Sequence, residues 1–518
     1  MQSCWKTEDA ARCAGALALR CYTSRLLGAD PALVLHGGGN TSLKLRDPSL
    51  ADDADVLFVK GSGTDLAAVQ TSDFTALRLR EATALLEGEE LDSAAMFARL
   101  DDLVVRRPAP KPSVETLLHA ALPSRYVEHT HADAVLAVAN TEHGERILAE
   151  IYGDLAPTVP YRHSGFDLAK ACAEAYRHHA TDRTIGLILR FHGVVAFAND
   201  ARESYENMIR LATTAETYLD AHDAWALPAA PIAAPPPDRL AVAGLRASIC
   251  RGAGFPLVMQ VMRDPFARHF AGRKDLADLC GQGPATPQHA IFGRRVPLLD
   301  RDVTRFVSRY RAYLSASLTA AEAQRVDPTP RIAVLAEVGV CALGVTATYA
   351  RIAAEIFRHD MEIMVRAHAH DRYRSAPAPL MARAELEYGG FEARERESAA
   401  AERPLLGQVA VVTARALEAS PRRVESLVRQ GCAVAIAARS DVPGVGVDDA
   451  IRCFPIADDT LTAWDACLDD VVLAFGGLDL LVIGADEARL VEPGAALLAL
   501  SPAGGRTERV DAPTQVTG

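Results

Sequence analysis

Two hydrophobic patterns alternate along the first part of the chain. Residues 1 to about 225 contain apolar residues at helical spacing, separated by short continuous apolar runs, and end in the helical pattern ESYENMIRLATTAETYLDAH. The first pattern indicates amphipathic helices, and the second indicates strands where turn residues bound it. Their alternation predicts an α/β fold.

A proline cluster marks the clearest domain boundary. The segment ALPAAPIAAPPPDRL at 226–240 predicts a linker, because prolines remove backbone donors and favour an extended chain. After it, RIAVLAEVGVCALGVTATYARIAAEIFRH predicts a strand, a glycine turn and a helix. We therefore predict a first domain at 1–225, a middle α/β region at 241–400 and a third part at 406–518.

Composition limits the classes of partner. The 67 acidic residues outnumber the 55 basic ones, and a net charge of −12 opposes general binding to nucleic acid or to an anionic membrane. No apolar run reaches the roughly eighteen residues of a membrane span. The ten cysteines never form CxxC, which argues against a disulfide framework and a thiolate zinc site and fits a cytoplasmic protein.

Two histidines in YVEHTHAD are spaced for one face of a strand. Side chains two positions apart on a strand point the same way, so His129 and His131 lie roughly 6 to 7 Å apart at the backbone. His192, in the apolar run TIGLILRFHGVVAFAND, needs a polar partner if it is buried. Three imidazoles form a known catalytic zinc arrangement, although iron, cobalt and manganese stay open.

A carboxylate precedes the histidines. In KPSVETLLHAALP, Pro112 leads into a predicted helix, Ser113 is a candidate N-cap, and Glu115 lies in the first turn. Glu115 is either a carboxylate that interacts with the helix dipole or an acid/base beside a metal.

Two glycine-rich turns complete this set of motifs. ALVLHGGGNTSLKL and VLFVKGSGTDLA each place closely spaced backbone N–H groups after a strand-like run. Such turns can hold an oxyanion, and they are also typical of hairpins and strand-to-helix turns. Neither matches GxxxxGK[ST], so a nucleotide P-loop is not predicted.

Taken together, these motifs resemble the class II aldolase/adducin family. GGGNTS, KGSG, PSVE, HTH and FHG occur in the family's order. SRLLGADPALVLHGGGNTSLK, SVETLLHAALP, VPYRHSGFDLAK and RDPFA extend the likeness to bacterial fusions of a class II aldolase with a short-chain dehydrogenase, often described as rhamnulose-1-phosphate aldolase/alcohol dehydrogenase. The resemblance implies an α/β/α aldolase domain at 1–225 and a homo-oligomer. In GPATPQHAIF, Gln288 stands where the family commonly carries an acidic residue.

The resemblance also implies roles for single residues. His129, His131 and His192 correspond to the metal ligands, and Glu115 corresponds to the catalytic acid/base. The family's phosphate-binding loops correspond to Gly39, Asn40, Ser62, Gly63 and Ser113. Family aldolases also use a tyrosine at the aldehyde, for which Tyr161 is the candidate.

The third part begins like a Rossmann domain. LGQVAVVTARALEASPRRVESLVRQGCAVAIAARSD predicts a strand at 408–413, a turn, a helix at 420–430 and a strand at 432–438. The turn TARALEAS has no glycine, although dinucleotide-binding domains use glycines there to bring the backbone close to pyrophosphate.

The third part also lacks residues that short-chain dehydrogenases use. FGGLDLLVIGADEA has Ala485 and Asp486 where that family carries an Asn-Ala-Gly turn. The last tyrosine is Tyr388 and the last lysine is Lys274, so the third part has no Tyr/Lys pair. We expect a degenerate, truncated short-chain dehydrogenase-like Rossmann domain that does not bind NAD(P).

The leading hypothesis is a metal-dependent lyase. It would cleave a phosphorylated ketose, such as rhamnulose 1-phosphate, into a triose phosphate and an aldehyde, with Zn²⁺ or another divalent metal as cofactor. Three alternatives stay open: a short-chain-dehydrogenase-type NAD(P) oxidoreductase, a sugar-phosphate 4-epimerase, and a non-catalytic adducin-like binding protein.

Overall fold

The computed structural model describes residues 1–47, 55–229, 237–399, 402–439, 448–458 and 460–511. The helices in these ranges are α1 (Thr7–Ala11), α2 (Ala16–Gly28), α3 (Leu79–Ala84), α4 (Ser93–Asp102), α5 (Thr116–Ala121), α6 (Asp133–Ala139), α7 (Gly144–Tyr152), α8 (Phe166–His179), α9 (Ala201–Ala221), α10 (Arg239–Ala253), α11 (Pro265–Ala271), α12 (Leu276–Gly281), α13 (Pro287–Gly293), α14 (Val303–Ser317), α15 (Ala320–Ala323), α16 (Ala347–His370), α17 (Ala378–Tyr388), α18 (Phe391–Ala399), α19 (Ala414–Ala419), α20 (Arg423–Arg429), α21 (Leu461–Phe475) and α22 (Val491–Ala499). Short 3-10 turns lie at Leu66–Ala68, Thr71–Asp73, Leu85–Glu87, Gly153–Leu155 and Ala488–Leu490.

The strands form three sheets. They are β1 (Asn40–Arg46), β2 (Asp55–Lys60), β3 (Phe74–Arg78), β4 (Tyr126–Thr130), β5 (Thr158–Val159), β6 (Gly186–Leu189), β7 (Gly193–Ala198), β8 (Val258–Met262), β9 (Ile332–Leu335), β10 (Gly339–Gly344), β11 (Val409–Thr413), β12 (Ala433–Ala438), β13 (Ile451–Pro455), β14 (Leu480–Gly484) and β15 (Arg506–Val510). The sheets have the orders β3-β2-β1-β4-β7-β6-β5, β8-β10-β9 and β13-β12-β11-β14-β15.

The seven-stranded sheet is covered by helices on both faces. Along β7, Val194 and Ala196 pack in a core with helices α6, α7 and α9, whereas Val195 and Phe197 pack in a second core with α5 and α8. Successive strand residues point to opposite faces, so a continuous apolar run such as GVVAFA is explained by burial on both sides. The α/β class and the layered first domain are thus confirmed.

Two compact units divide the chain. The first comprises Met1–Leu227 with two later segments, Ala285–Gln288 and His359–Ala376. The second comprises Pro228–Pro284, His289–Arg358 and Pro377–Gly518. Sequence reasoning gave no sign that the two short later segments fold with the first unit. The predicted domain boundaries stay predictions, and residues 230–236 of the predicted linker at 226–240 lie outside the described residues.

The second unit contains a Rossmann-like sheet. All four pairings in its five-stranded sheet are parallel. The chain enters at the central strand β11, moves outward to β13 and returns to β14 on the other side of β11. One core, which includes Leu343, Val411 and Leu468, joins this sheet to the three-stranded sheet through α21. Within the described residues, no helix is both long enough and apolar enough to cross a membrane.

Two predicted local elements were wrong. The run before the first glycine turn is not a strand, because His36, Gly37 and Gly39 have positive φ angles and pairing with β4 starts only at Asn40. The predicted turn after β11 is also wrong. Helix α19 begins there at once, because the Thr413 side chain accepts a hydrogen bond from the Ala416 N–H and caps it.

A buried aspartate anchors one of the later segments of the first unit. Asp360 is 2% exposed and accepts the Ala285 N–H at 2.7 Å, while the Asn140 side chain donates to the Ala285 carbonyl at 2.7 Å. Burial raises the pKa of Asp360 to about 8, the Ala285 N–H acts to lower it, and the nearby Asp133 charge adds to the rise.

This raised pKa predicts the sign of a pH effect. The folded state keeps the Asp360 proton up to about pH 8, whereas an ordinary aspartate has a pKa of 3.8, so folding stability decreases as pH rises between these values. As pH rises from about 5 to about 8, the free energy of unfolding of Asp360→Asn should therefore increase relative to that of the parent by roughly 1 to 3 kcal/mol.

Denaturant unfolding of both proteins at the two pH values measures this difference. The control is Asp264→Asn: burial acts to raise the pKa of Asp264, but hydrogen bonds from Arg358 and from the Ala267 and Phe266 N–H groups hold it below its usual value. Its stability relative to the parent should not change over this range. A pH-independent difference for Asp360→Asn would contradict the prediction.

Candidate metal centre and active site

Three histidine side chains converge at the carboxyl end of β4. The ring centroids of His129 and His192 are 5.0 Å apart, those of His129 and His131 are 5.0 Å apart, and those of His131 and His192 are 5.4 Å apart. One potential ligand atom from each residue lies within 4.8 Å of the other two. The structure therefore brings together the three predicted ligands.

Strand pairing explains how His192 reaches the other two. β4 and β7 are antiparallel with His129 opposite Val195, so the end of β4 lies beside the start of β7. The apolar run around His192 is not one strand, as its pattern suggested, but β6 and β7 joined by a tight turn in which Phe191 has φ 56°. A Cβ on Gly193 would lie 2.2 Å from the Thr130 carbonyl oxygen, so the FHG motif needs glycine there.

The nitrogens of the cluster fit a divalent cation. Nδ1 of His129 lies 3.1 Å from the Val194 carbonyl, which only accepts, so this nitrogen carries the proton and Nε2 keeps its lone pair. Within the described residues this Nε2 is buried without a hydrogen-bond partner. Burial lowers the pKa of His129 to about 4 and lowers that of His131 well below its usual value. At neutral pH both rings are uncharged, as metal ligands must be.

Glu115 lies against two of these histidines. Its Oε1 is 2.8 Å from Nε2 of His192, and its Oε2 is 3.5 Å from Nε2 of His129. The prediction that Ser113 is the N-cap of α5 was wrong, since Glu115 occupies that position. The Glu115 side chain makes no capping hydrogen bond and instead contacts the histidine cluster, so its catalytic role stays a prediction.

The surroundings of Glu115 keep it ionised. Burial acts to raise the pKa of this carboxyl, but His129, His192 and a hydrogen bond from Asn40 together hold it well below its usual value. Nδ2 of Asn40 donates to Glu115 Oε2 at 2.5 Å and to the Ser113 hydroxyl at 3.2 Å. At neutral pH the site thus combines the neutral rings of His129 and His131 with the Glu115 carboxylate.

A buried histidine that the sequence analysis missed orients Asn40. His119 contacts the Asn40 Oδ1 through Nε2 and the Ser42 hydroxyl through Nδ1, the latter at 2.8 Å. Because Oδ1 only accepts, the ring donates to it and the Asn40 amide nitrogen faces Glu115. The signal was present in the sequence, since His119 lies one helical turn after Glu115.

The two glycine turns lie side by side, joined by a buried lysine. A Cβ on Gly37 would lie 3.0 Å from the Gly63 carbonyl oxygen. Nζ of Lys60, which is 1% exposed, donates to the carbonyls of Gly37 at 3.1 Å and Thr64 at 2.5 Å. Burial lowers the pKa of Lys60 to about 8. Sequence analysis assigned no role to this lysine.

The residues assigned to phosphate by resemblance divide into two groups. Asn40 and Ser113 are buried beside Glu115, whereas Ser62 and Gly63 are exposed at the second turn. The Ser62 N–H donates to the Lys111 carbonyl at 2.8 Å, so this N–H is already bonded. Gly39 has φ 58°, and a Cβ there would lie 2.6 Å from the His129 carbonyl oxygen.

The tyrosine candidate lies between β5 and α8. Within the described residues, the Tyr161 hydroxyl is buried without a hydrogen-bond partner, and burial raises its pKa. The role of Tyr161 at the aldehyde stays a prediction.

Charged side chains form hydrogen bonds and an ion pair at the switch point of the Rossmann-like sheet, which is the place where the strand order reverses. Glu487 accepts hydrogen bonds from the Thr413 hydroxyl at 2.5 Å and from the Gly484 N–H at 2.8 Å. Arg415 pairs with Asp486 beside them. Dinucleotides bind at the carboxyl ends of the strands where the strand order reverses, which here is between β11 and β14. Two carboxylates at this point do not fit a pyrophosphate.

The chain is similar to several known proteins over different lengths. A Bacillus subtilis protein named "Uncharacterized oxidoreductase YuxG" is 25% identical, and the match covers 93% of this chain and 74% of that protein. The structure of an N-terminal class II aldolase domain from Thermoplasma acidophilum is 36% identical over 42% of this chain and 99% of that one, with a TM-score of 0.39. An L-fuculose-1-phosphate aldolase from Thermus thermophilus is 19% identical over 39% of this chain and 95% of that one, with a TM-score of 0.26.

Family models identify two successive regions. The model of the class II aldolase and adducin N-terminal domain matches residues 18–219, which contain the histidine cluster and Glu115. The model of the second domain of class II aldolases matches residues 238–394. Together they span more than half of the chain, and the chain belongs to the class II aldolase and adducin family.

Proposed function

We propose that this protein is a metal-dependent lyase that cleaves a phosphorylated ketose, such as rhamnulose 1-phosphate, into a triose phosphate and an aldehyde. The observation that carries the proposal is the convergence of His129, His131 and His192 with the ionised Glu115. A protein that had kept the fold without the chemistry would have no need for a buried carboxylate against two buried imidazoles, because burying such groups costs stability.

The three histidines would hold Zn²⁺ or another divalent metal. When bound, such an ion acts as a Lewis acid that stabilises negative charge on substrate oxygens. In cleavage, a proton leaves the hydroxyl of the carbon that becomes the aldehyde, the carbon–carbon bond breaks, and the enediolate carbon gains a proton. Glu115 can serve both transfers, since its carboxylate can accept the hydroxyl proton and return it to carbon. Asn40, oriented by His119, positions this carboxylate.

The glycine turns and Lys60 support an anionic end group on the substrate. We propose that Gly39, Ser62 and Gly63 contact a phosphate, with Asn40 and Ser113 between it and the metal. The Lys60 ammonium lies between the two turns, and a buried cation favours a nearby anion. We also propose that the protein acts in the cytoplasm as a homo-oligomer, in keeping with its free cysteines and its family.

A substrate screen tests the lyase. Purified protein loaded with zinc is incubated with a panel of ketose 1-phosphates and pentulose 5-phosphates, and products are followed by aldehyde trapping and by a triose phosphate assay. Release of aldehyde and triose phosphate supports the proposal. An epimer without trapped aldehyde would show a 4-epimerase instead, and metal binding without turnover would show a binding protein.

We further propose that the C-terminal domain neither binds NAD(P) nor transfers hydride. Glu487 and Asp486 occupy the switch point, and the glycines and the Tyr/Lys pair are missing from the sequence. Its role would then be packing or subunit contact.

Calorimetric titration with NAD⁺, NADH, NADP⁺ and NADPH should therefore show no micromolar binding, and lactaldehyde should not be oxidised with any of them. The Bacillus subtilis relative is named as an oxidoreductase, so a positive control with an active short-chain dehydrogenase belongs in the same experiment. Dinucleotide binding or NAD-linked oxidation would overturn this proposal and leave the lyase proposal untouched.

A further inference from the structure

We propose that Gln288 is a positioning residue of the metal centre: its amide fixes the ring of His131 and leaves the Nε2 of that ring free for the metal. The inference rests on the proposed metal-dependent function. Gln288 follows His131 by 157 positions and belongs to the region matched by the second-domain family model. The second aldolase region would thereby contribute to the metal site of the first.

Two hydrogen bonds define the orientation of the amide. Gln288 Oε1 lies 2.7 Å from Nδ1 of His131, and Gln288 Nε2 donates to the Leu35 carbonyl at 2.8 Å. The Leu35 carbonyl only accepts, so the amide nitrogen faces it and the amide oxygen faces the ring. Nδ1 of His131 must then carry the proton, and Nε2 is the nitrogen with a free lone pair. Val194 fixes the same tautomer of His129 through its carbonyl.

The first glycine turn provides the space that the amide occupies. A Cβ on Gly38 would lie 2.5 Å from Oε1 and 2.6 Å from Nε2 of Gln288. The middle glycine of the GGG motif therefore has a packing role, whether or not the turn also binds phosphate. Any larger side chain at 38 must displace the Gln288 amide.

The backbone before Gln288 is held from both sides. Asp360 accepts the Ala285 N–H, and the Asn140 side chain donates to the Ala285 carbonyl. Ala285 and Thr286 are both fully buried. An anchored backbone lowers the entropy that Gln288 loses when it contacts His131, which makes the contact effective for positioning.

The Leu35 carbonyl also accounts for an amide rather than a carboxylate at this position. A carboxylate can accept from His131, but it would place negative charge against the Leu35 carbonyl oxygen. Gln288→Glu thus keeps one of the two contacts, and Gln288→Leu keeps neither.

Zinc affinity tests the inference independently of turnover. We would measure it by competition with a chromophoric chelator, on the full chain, for the parent, Gln288→Leu, Gln288→Glu and Gly38→Ala. Loss of a residue that orients a metal ligand typically weakens affinity about 10- to 100-fold, and we expect this for Gln288→Leu. Gln288→Glu should bind more tightly than Gln288→Leu. The control is Gln324→Leu, the same substitution at a position outside the metal site, which should bind as the parent does.

Gly38→Ala provides the second route to the same contact. The φ angle of Gly38 is not in the left-handed region, and the three atoms nearest to the added Cβ all belong to the end of the flexible Gln288 side chain, so the variant should fold. We expect Gly38→Ala to bind zinc more weakly than the parent. The double variant Gly38→Ala/Gln288→Leu should bind zinc no more weakly than Gln288→Leu alone, because the two substitutions remove the same contact between Gln288 and His131. Additive losses would overturn the inference.

Each remaining outcome is decisive. Parent-like affinity in both Gln288→Leu and Gly38→Ala would overturn the inference while leaving the metal site intact. Equal affinities of Gln288→Glu and Gln288→Leu would show that the amide only fills space, and would also overturn it. Failure of the parent to bind zinc, or zinc binding that survives His129→Ala, would overturn the metal site and this inference together.

Discussion

Simultaneous replacement of His129 and His131 by alanine is expected to remove the bound metal and, with it, turnover. Purified parent protein should contain about one zinc or similar divalent ion per chain, since three imidazoles with an open position form a catalytic site. Two of these imidazoles disappear in the double variant, and His192 alone cannot hold the ion. Elemental analysis of the purified proteins measures the change directly.

The chain offers a matched control for this experiment. His178 and His179 are neighbouring exposed histidines at the end of α8, with ring centroids 6.4 Å apart. Replacing both by alanine removes the same number of imidazoles without touching the cluster, so metal content and turnover should be those of the parent. Metal content that is unchanged in His129→Ala/His131→Ala would remove the proposed site.

Replacement of Glu115 by glutamine is expected to lower turnover by roughly a hundredfold or more, the range for loss of general acid/base catalysis. The amide has nearly the same shape and can still contact Asn40 and His192, but it cannot accept and return a proton. Zinc affinity and thermal stability should change much less than the rate. Steady-state kinetics on the substrate found by the screen, together with chelator competition, separate these effects.

Asp92→Asn is the control for this second substitution. Asp92 caps α4 through a hydrogen bond to the Ala95 N–H, and asparagine caps a helix about as well. This variant also converts a carboxylate to an amide, but at a residue that caps a helix. Capping a helix is the role that Glu115 would have if it were not a catalytic residue. Equal rates for Glu115→Gln and the parent would mean that Glu115 has no proton-transfer role.

Several features of the site followed from local sequence alone. The spacing of His129 and His131 placed them near one another, and the structure has His129 in β4 and His131 directly after the strand's end at Thr130. The absence of glycine in TARALEAS likewise predicted that side chains would fill the turn after β11, although not that a helix would start there. The start of α19 depends on the Thr413 cap, a hydrogen bond between side chain and backbone that cannot be predicted from hydrophobic periodicity.

Other features could not be predicted because they depend on contacts between distant residues. The position of His192 in a hairpin turn, rather than within a strand, follows from pairing of β7 with both β4 and β6. Glu115 occupies the N-cap but turns its side chain toward the histidines, since Asn40 donates to it. An apolar run and a capping motif look the same in the sequence with or without these partners.

The sequence by itself determined the chemical character of this protein: the metal-ligating residue types, their spacing, the carboxylate near them and the family they indicate. Only the tertiary structure decided the state of each group. The neutral tautomers of His129 and His131, the ionised Glu115, the buried Lys60 between two turns and the reach of Gln288 into the site all arise from burial and hydrogen bonding. The energies of burial and of hydrogen bonding depend on distances between atoms. Those distances are fixed only when segments far apart in sequence pack together.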